Sequence, residues 1–307
     1  DGGSVMTTTT HTTTHHESVA PVSAFTSTTR SARADLLRLR RWPAVWVVVA
    51  AWLLLNAMFG YVFNYVTYAS GDSNFSTEGQ TRADLLATIL PSGLAATFPQ
   101  GMPLFGGAIM MVLGAIVAGN GFGWGTWKTA FTQGPSRTST ISGSMAALTM
   151  AVVGVAVATL AADTLMSLGV AGLESHAVSW PAVADLARSF GAGLLVMEMW
   201  ALAGYLLGTL ARGPAVSVGL GLVWGLVIEN LLRGVGTSLQ AVAVFTHFLP
   251  GTAAGSLIGS IVGVGGPDQT PGVLDTLSGT RALITMAAWL VALPLATLWL
   301  VRRRDVA

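Results

Sequence analysis

The sequence predicts an all-α integral membrane protein: six transmembrane helices, an N-terminal interfacial helix ahead of them, and re-entrant helices on the outer face before the last span. Three observations carry this. Of 307 residues, 52% are hydrophobic and only 9% are charged, where a soluble domain carries about 25% charge. The mean hydropathy is +0.65. The apolar residues fall in runs near or above the roughly 18 needed to cross a bilayer. Too few charged groups remain to cover a water-facing surface, which excludes a soluble globular enzyme. The chain has no cysteine, which excludes a disulfide framework, a thiolate metal site and a cysteine nucleophile. A net charge of +1 offers no basic face for nucleic acid.

Residues 1–29 are rich in Thr, Ser and His around Thr7 to His16 and have little to bury, so they are expected to be a disordered tail. Asp1 to Val5, ahead of Met6, are read as an appended leader. His11, His15 and His16 lack an ordered frame and a carboxylate at fixed spacing, and are read as tail rather than as a metal site. Residues 30–304 form the membrane domain, and 305–307 a cytoplasmic tail. Arg30 to Trp42 alternates arginines with Leu36, Leu37, Leu39 and Trp42, the pattern of a helix lying on anionic lipid. The chain then turns at Pro43 into a first span at about 44–68, too long for a signal-peptide core. Further spans are expected at about 102–119, 144–168, 190–211, 214–232 and 282–301.

Two other apolar stretches compete for span status. The stretch 85–98 is short and broken by Pro91 and Pro99; the stretch 239–264 is interrupted by His247, Pro250 and Gly251. Charge decides the count. With six spans and a cytoplasmic N-terminus, eleven of the fifteen Lys and Arg residues lie inside, and only Arg82, Arg188, Arg233 and Arg281 lie outside. That split obeys the positive-inside rule, whereas a seventh span would put Arg302 to Arg304 outside. The stretch 239–264 is therefore read as re-entrant or interfacial helices shielded by protein.

Chemistry concentrates in two places. The inner loop from Asn120 to Gly143 is aromatic where a cytosolic loop would be charged. With a helix over 125–133, Trp124, Trp127, Lys128 and Phe131 share one face at i, i+3, i+4, i+7 spacing. That face is either an aromatic anchor at the lipid interface or a docking helix for a cytoplasmic partner. Within the spans, each polar residue needs an account. Glu198 falls near the middle of the fourth span, Asp163 in the outer half of the third, and Glu229 with Asn230 in the outer half of the fifth. Arg233 is one turn beyond Glu229 and can pair with it. Glu198 and Asp163 are either packing residues or the lining of a wet cavity or proton relay. Gly204 with Gly208, and Gly221 with Gly225, are small-xxx-small pairs on the fourth and fifth spans, and Gly213-Pro214 makes a tight hairpin, so these two spans are expected to pack together. Met110, Met111, Met197 and Met199 are either core or an adaptable cargo surface.

The run Gly119-Asn-Gly-Phe-Gly-Trp-Gly-Thr-Trp-Lys-Thr129, followed by Thr132-Gln-Gly-Pro-Ser-Arg137 and later by Phe248-Leu-Pro-Gly251, all after an Arg/Leu interfacial helix, resembles the permease subunits of type-2 ATP-binding cassette exporters, the actinobacterial kind in particular. The resemblance covers about Arg30 to Arg304. Gly121 and Ser144 depart from it, standing where the family commonly has an acid and a lysine. The resemblance implies a coupling helix within about Gly123 to Arg137, carrying Trp124, Trp127, Lys128, Phe131 and Arg137 into a cleft of an ATP-binding cassette subunit. It further implies two copies of that subunit holding ATP and Mg, and a second membrane subunit, identical or paralogous, in a bacterial cytoplasmic membrane. This chain itself has no Gly-x-x-x-x-Gly-Lys-Ser/Thr element, so it is expected to be no ATPase and to carry no cofactor. The rivals are a proton-coupled secondary transporter using Asp163, Glu198 and Glu229, a non-transporting membrane anchor, and an intramembrane hydrolase pairing Ser142 with His247.

Overall fold

The computed structural model describes residues 24–72, 79–132, 136–263 and 270–303. The tail through residue 23, with His11, His15 and His16, lies outside the described residues, as do Gln133 to Pro135, Arg304 and the 305–307 tail. The chain is an all-α membrane protein. Helix α1 (Ala24–Arg41) precedes a first span, α2 (Pro43–Ser70); short α3 (Arg82–Ile89) leads into α4 (Pro91–Gly123). After short α5 (Thr126–Thr132) come α6 (Arg137–Leu173), α7 (Val183–Ala211) and α8 (Pro214–Gly236). A bent pair, α9 (Gln240–Thr246) and α10 (Pro250–Val262), precedes α11 (Gly279–Arg303). Among the described residues six helices, α2, α4, α6, α7, α8 and α11, are long and apolar enough to span.

Local chemistry sets the boundaries. Pro43 opens α2 after an extended Trp42, and Gly71 ends it in the left-handed region at φ 81°. The Ser136 hydroxyl accepts the Ser139 N–H at 3.1 Å and caps α6, so that helix begins seven residues before the expected 144. The second span likewise starts at Pro91 instead of 102, absorbing part of the stretch 85–98. Proline is tolerated there because Pro91 opens a 3-10 turn and Pro103 opens a π turn, leaving only Pro99 inside a helical stretch. The expected disorder of 24–29 is also corrected: these residues are the first turns of α1, and its Ser31 hydroxyl donates to the Thr140 carbonyl of α6 at 3.2 Å. Helix α1 thus rests on protein, with Ala32 and Leu39 buried.

Contact registers give the direction of each span. Between α2 and α6, Trp52 donates to Thr159, Asn56 to Asp163, and Tyr65 and Tyr68 to Glu174. The near-constant offset of these pairs means that α2 and α6 run parallel. Helices α4 and α7 are parallel too. Gly107 faces Trp200, Gly204 faces Met111, and Gly208 comes 2.8 Å from the Ala115 carbonyl measured from an added Cβ. Helix α8 is antiparallel to both α4 and α7, since Gly119 meets Pro214, Gly221 meets Met111, and the Ser217 hydroxyl donates to the Leu207 carbonyl at 3.1 Å. Helix α2 runs against α4, with Trp52 beside Gly106 and Gly60 beside Thr97, so spans 1 to 5 alternate in direction.

The closest approach in the bundle is between α4 and α7. A Cβ on Gly114 would strike the Ala201 carbonyl, and one on Gly204 the Met111 carbonyl. The fourth and fifth spans do pack together as expected, but Gly204 and Gly208 seat α7 on the second span. Helix α8 still adjoins α7, but Met111 of α4 reaches between them to Gly221. Met110, Met111, Met197 and Met199 are all buried and fill the core, with Met111 also edging a narrow cleft beside α8.

The bent pair enters and leaves on one side. Ser260, near the end of α10, touches Gly279 at the start of α11, while the corner carbonyl of Phe248 accepts from Trp289 at 2.9 Å. Trp289 lies ten residues into α11, roughly 15 Å along its axis and so near half the depth of a bilayer. The corner of α9 and α10, bent by 74°, therefore dips to mid-depth and returns to the surface where the last span starts.

Candidate functional site

One end of the bundle gathers α1, α5 and the start of α6. The sequence places Trp124, Trp127, Lys128 and Phe131 on one helical face, and the structure separates them. Helix α5 starts only at Thr126, leaving Trp124 in the turn before it, 68% exposed and tilted against Trp42 at 5.6 Å. Trp127 instead points inward and is 2% exposed. Its indole N–H donates to the Ala118 carbonyl at 3.2 Å, Phe131 stacks on it at 6.1 Å, and the Arg38 guanidinium lies over it at 5.9 Å. The departure at Gly121 now has a physical reason, because a Cβ there would strike the Trp127 indole. Arg137 lies 6.0 Å over the Phe131 ring. Lys128 belongs to α5, and its side chain lies outside the described part of the structure. As a docking element this end therefore presents Trp124 and the outer edge of Phe131, while Trp127 anchors α5 to the molecule.

Beside Trp127 sits a half-buried polar group that sequence reasoning missed. Asp35 lies 3.3 Å from Arg38 one turn on; burial raises its carboxyl above the usual range, against the opposing pull of Arg38 and of the Ser144 hydroxyl. Ser144, the second departure, is wholly buried on α6, and Tyr205 of α7 lies beside it. A sequence signal existed in the Asp35/Arg38 i, i+3 spacing on a helix otherwise basic, but nothing in it showed that α1 would be covered.

Glu198, Asp163 and the Glu229 group are not brought together. The Glu198 Oε1 accepts from Thr149 of α6 at 2.6 Å, tying the fourth span to the third. Asp163 is wholly buried, and its Oδ1 accepts from Asn56 of α2 at 2.6 Å. Glu229 pairs with Arg233 at 3.6 Å, as the i, i+4 spacing predicts, and Arg233 also donates to the Asn230 Oδ1 at 2.7 Å. A chain of carboxylates suited to relaying a proton is therefore absent among the described residues. Ser142 lies in the second turn of α6, at the α1 end, and His247 at the mid-depth corner of the bent pair, about half a bilayer away.

Between α4, α7 and α8 a cleft is lined by Pro103, Leu104, Met111, Trp200, Gly221 and Gly225. It runs beside two π turns, Met102–Gly106 in α4 and Val223–Ile228 in α8, features that recur where helices must yield or bind. The side chains that line it are apolar, and the Trp200 indole N–H among them is buried without an acceptor. Compared with known protein families, the chain matches no family model, and no curated protein matches it in sequence.

Proposed function

We propose that this chain is the membrane subunit of an ATP-driven exporter of the type-2 ATP-binding cassette kind, supplying the pathway while a separate ATP-binding subunit, in two copies with ATP and Mg, supplies the energy. The observation that carries the reading is the α1/α5 end. A short helix between the second and third spans is pinned to the bundle by a buried tryptophan and leaves a second, Trp124, turned outward. A soluble loop has no reason to expose that side chain, whereas a docking helix needs both a rigid mount and a protruding anchor. In this reading the α1/α5 end faces the cytoplasm of a bacterial cell, which the arginine excess at that end supports. The bent pair faces outward. A second membrane subunit, identical or paralogous, completes the pathway. Separation of Glu198, Asp163 and Glu229 favours this over proton-coupled transport.

The test is affinity purification of the tagged chain from its native membrane in mild detergent. A stoichiometric ATP-binding chain, lost on Trp124→Ala with the spans still inserted, is the expected result. A chain that purifies without any nucleotide-binding partner, and moves solutes in vesicles on a proton gradient alone, would refute the proposal and install the secondary transporter in its place.

A further inference from the structure

Glu229 does more than neutralise Arg233. It is wholly buried, follows directly on the π turn of α8, and its Oε1 accepts from the Trp224 indole at 2.9 Å. Its Oε2 occupies the place that a Cβ on Gly251 would take. The carboxylate thus lies against the first turn of α10, near the N–H groups of Gly251 and Thr252, with Oε2 approaching them without a hydrogen bond of good geometry. That helix end has no cap of its own, because Leu249 offers no side-chain acceptor. The exposed N–H groups and the positive end of the helix are met by a carboxylate from another helix. Arg233 adds a contact to the Thr252 hydroxyl at 3.5 Å. Beneath the corner, Trp200 comes 3.4 Å from the same Gly251 position, and that indole walls the cleft.

We propose that Glu229 is a latch: it holds the N-terminus of α10 to α8, keeps the corner of the bent pair seated on Trp200, and lets α10 lift from the cleft when the carboxylate withdraws. The architecture suits a reversible contact. Glu229 and Arg233 share one helix, so the pair travels with α8 and the charge stays matched whether α10 is seated or lifted. On the other side the Phe248 carbonyl accepts from Trp289, and further along α10 the Gly255 carbonyl and the Ser256 hydroxyl accept from the N–H groups of Leu274 and Leu277, so the segment that would move is the first turn of α10 with the corner. The purpose of the latch, closing a pathway, rests on the exporter reading; its existence as a contact that opens does not.

The test uses the absence of native cysteine. A single cysteine is placed at Ala253, buried in α10, in the full chain in lipid nanodiscs, and its rate of reaction with a hydrophilic maleimide is measured. Slow labelling is expected with Glu229 intact, and at least ten-fold faster labelling with Glu229→Ala. Gly251→Ala should accelerate labelling equally with the carboxylate still present, since its methyl group takes the place of Oε2. A second reporter at Ala201, in the seam of α4 and α7, should stay slow throughout. Unchanged rates at Ala253 in both variants would overturn the latch, and so would a parallel rise at Ala201, which would mean that the whole bundle had loosened. Failure to find an ATP-binding partner would remove the exporter reading and leave these rates as they are.

Discussion

Trp124 and Trp127 stand three residues apart and do opposite work. Truncating Trp127 removes the indole that joins α5 to α1 and to the end of α4, a core deletion worth about 3–5 kcal/mol. Trp127→Ala should lower the melting temperature in detergent and expose α5 to protease. Trp124→Ala should leave the melt nearly unchanged, within about 0.5 kcal/mol as for other surface sites, and act on partner binding alone. The helical spacing of these residues was legible in the sequence, but which of them faced inward was not, because that depends on α1 folding back over α5. Asp35 offers a second test at this scale. Its carboxyl is raised, so the charged form is disfavoured in the fold and any stabilising share it has belongs to low pH and is lost as the pH rises through the raised value. Asp35→Asn should therefore melt at or above wild type at pH 7, with the gap closing as the pH falls toward the ordinary carboxylate range. A variant that melts lower than wild type at pH 7 would show that the ion pair with Arg38 outweighs burial.

Between elements, polar clasps hold the first span to the third, and glycines hold the second to the fourth. Asn56→Leu strips the Asp163 carboxylate of its donor, a loss of about 1–3 kcal/mol for a buried acceptor. The double variant Asn56→Leu with Asp163→Leu should recover most of that, because two apolar groups leave nothing unsatisfied. Recovery is read from thermal melts of the two variants, and a double variant no better than the single one would assign Asp163 a role beyond packing. The sequence announced the costly polar residues but not their partners. Asn56 and Asp163 are separated by 107 positions, and only parallel alignment of two non-consecutive spans brings them face to face. The same limit misdirected Gly204 and Gly208. Small residues declare that a backbone comes close, and the short Gly213-Pro214 hairpin favoured the next helix in the chain over the second span that the structure seats there.

For the whole molecule, six spans and the re-entrant segment were legible because hydrophobic length and arginine placement are properties of the chain itself. Span ends were not, since Ser136 and Pro91 extend helices beyond the apolar runs through capping and turn chemistry. The account stands on a molecule with two unlike ends, one built by α1 and α5 and the other by the dipping corner of α9 and α10. Single cysteines at Thr129 and Ser238, both exposed and at opposite ends, test this in intact cells with a maleimide that cannot cross the membrane. The account predicts that Ser238→Cys labels at once and Thr129→Cys only after permeabilisation. Labelling of both from the same side, or of Thr129→Cys alone from outside, would contradict it.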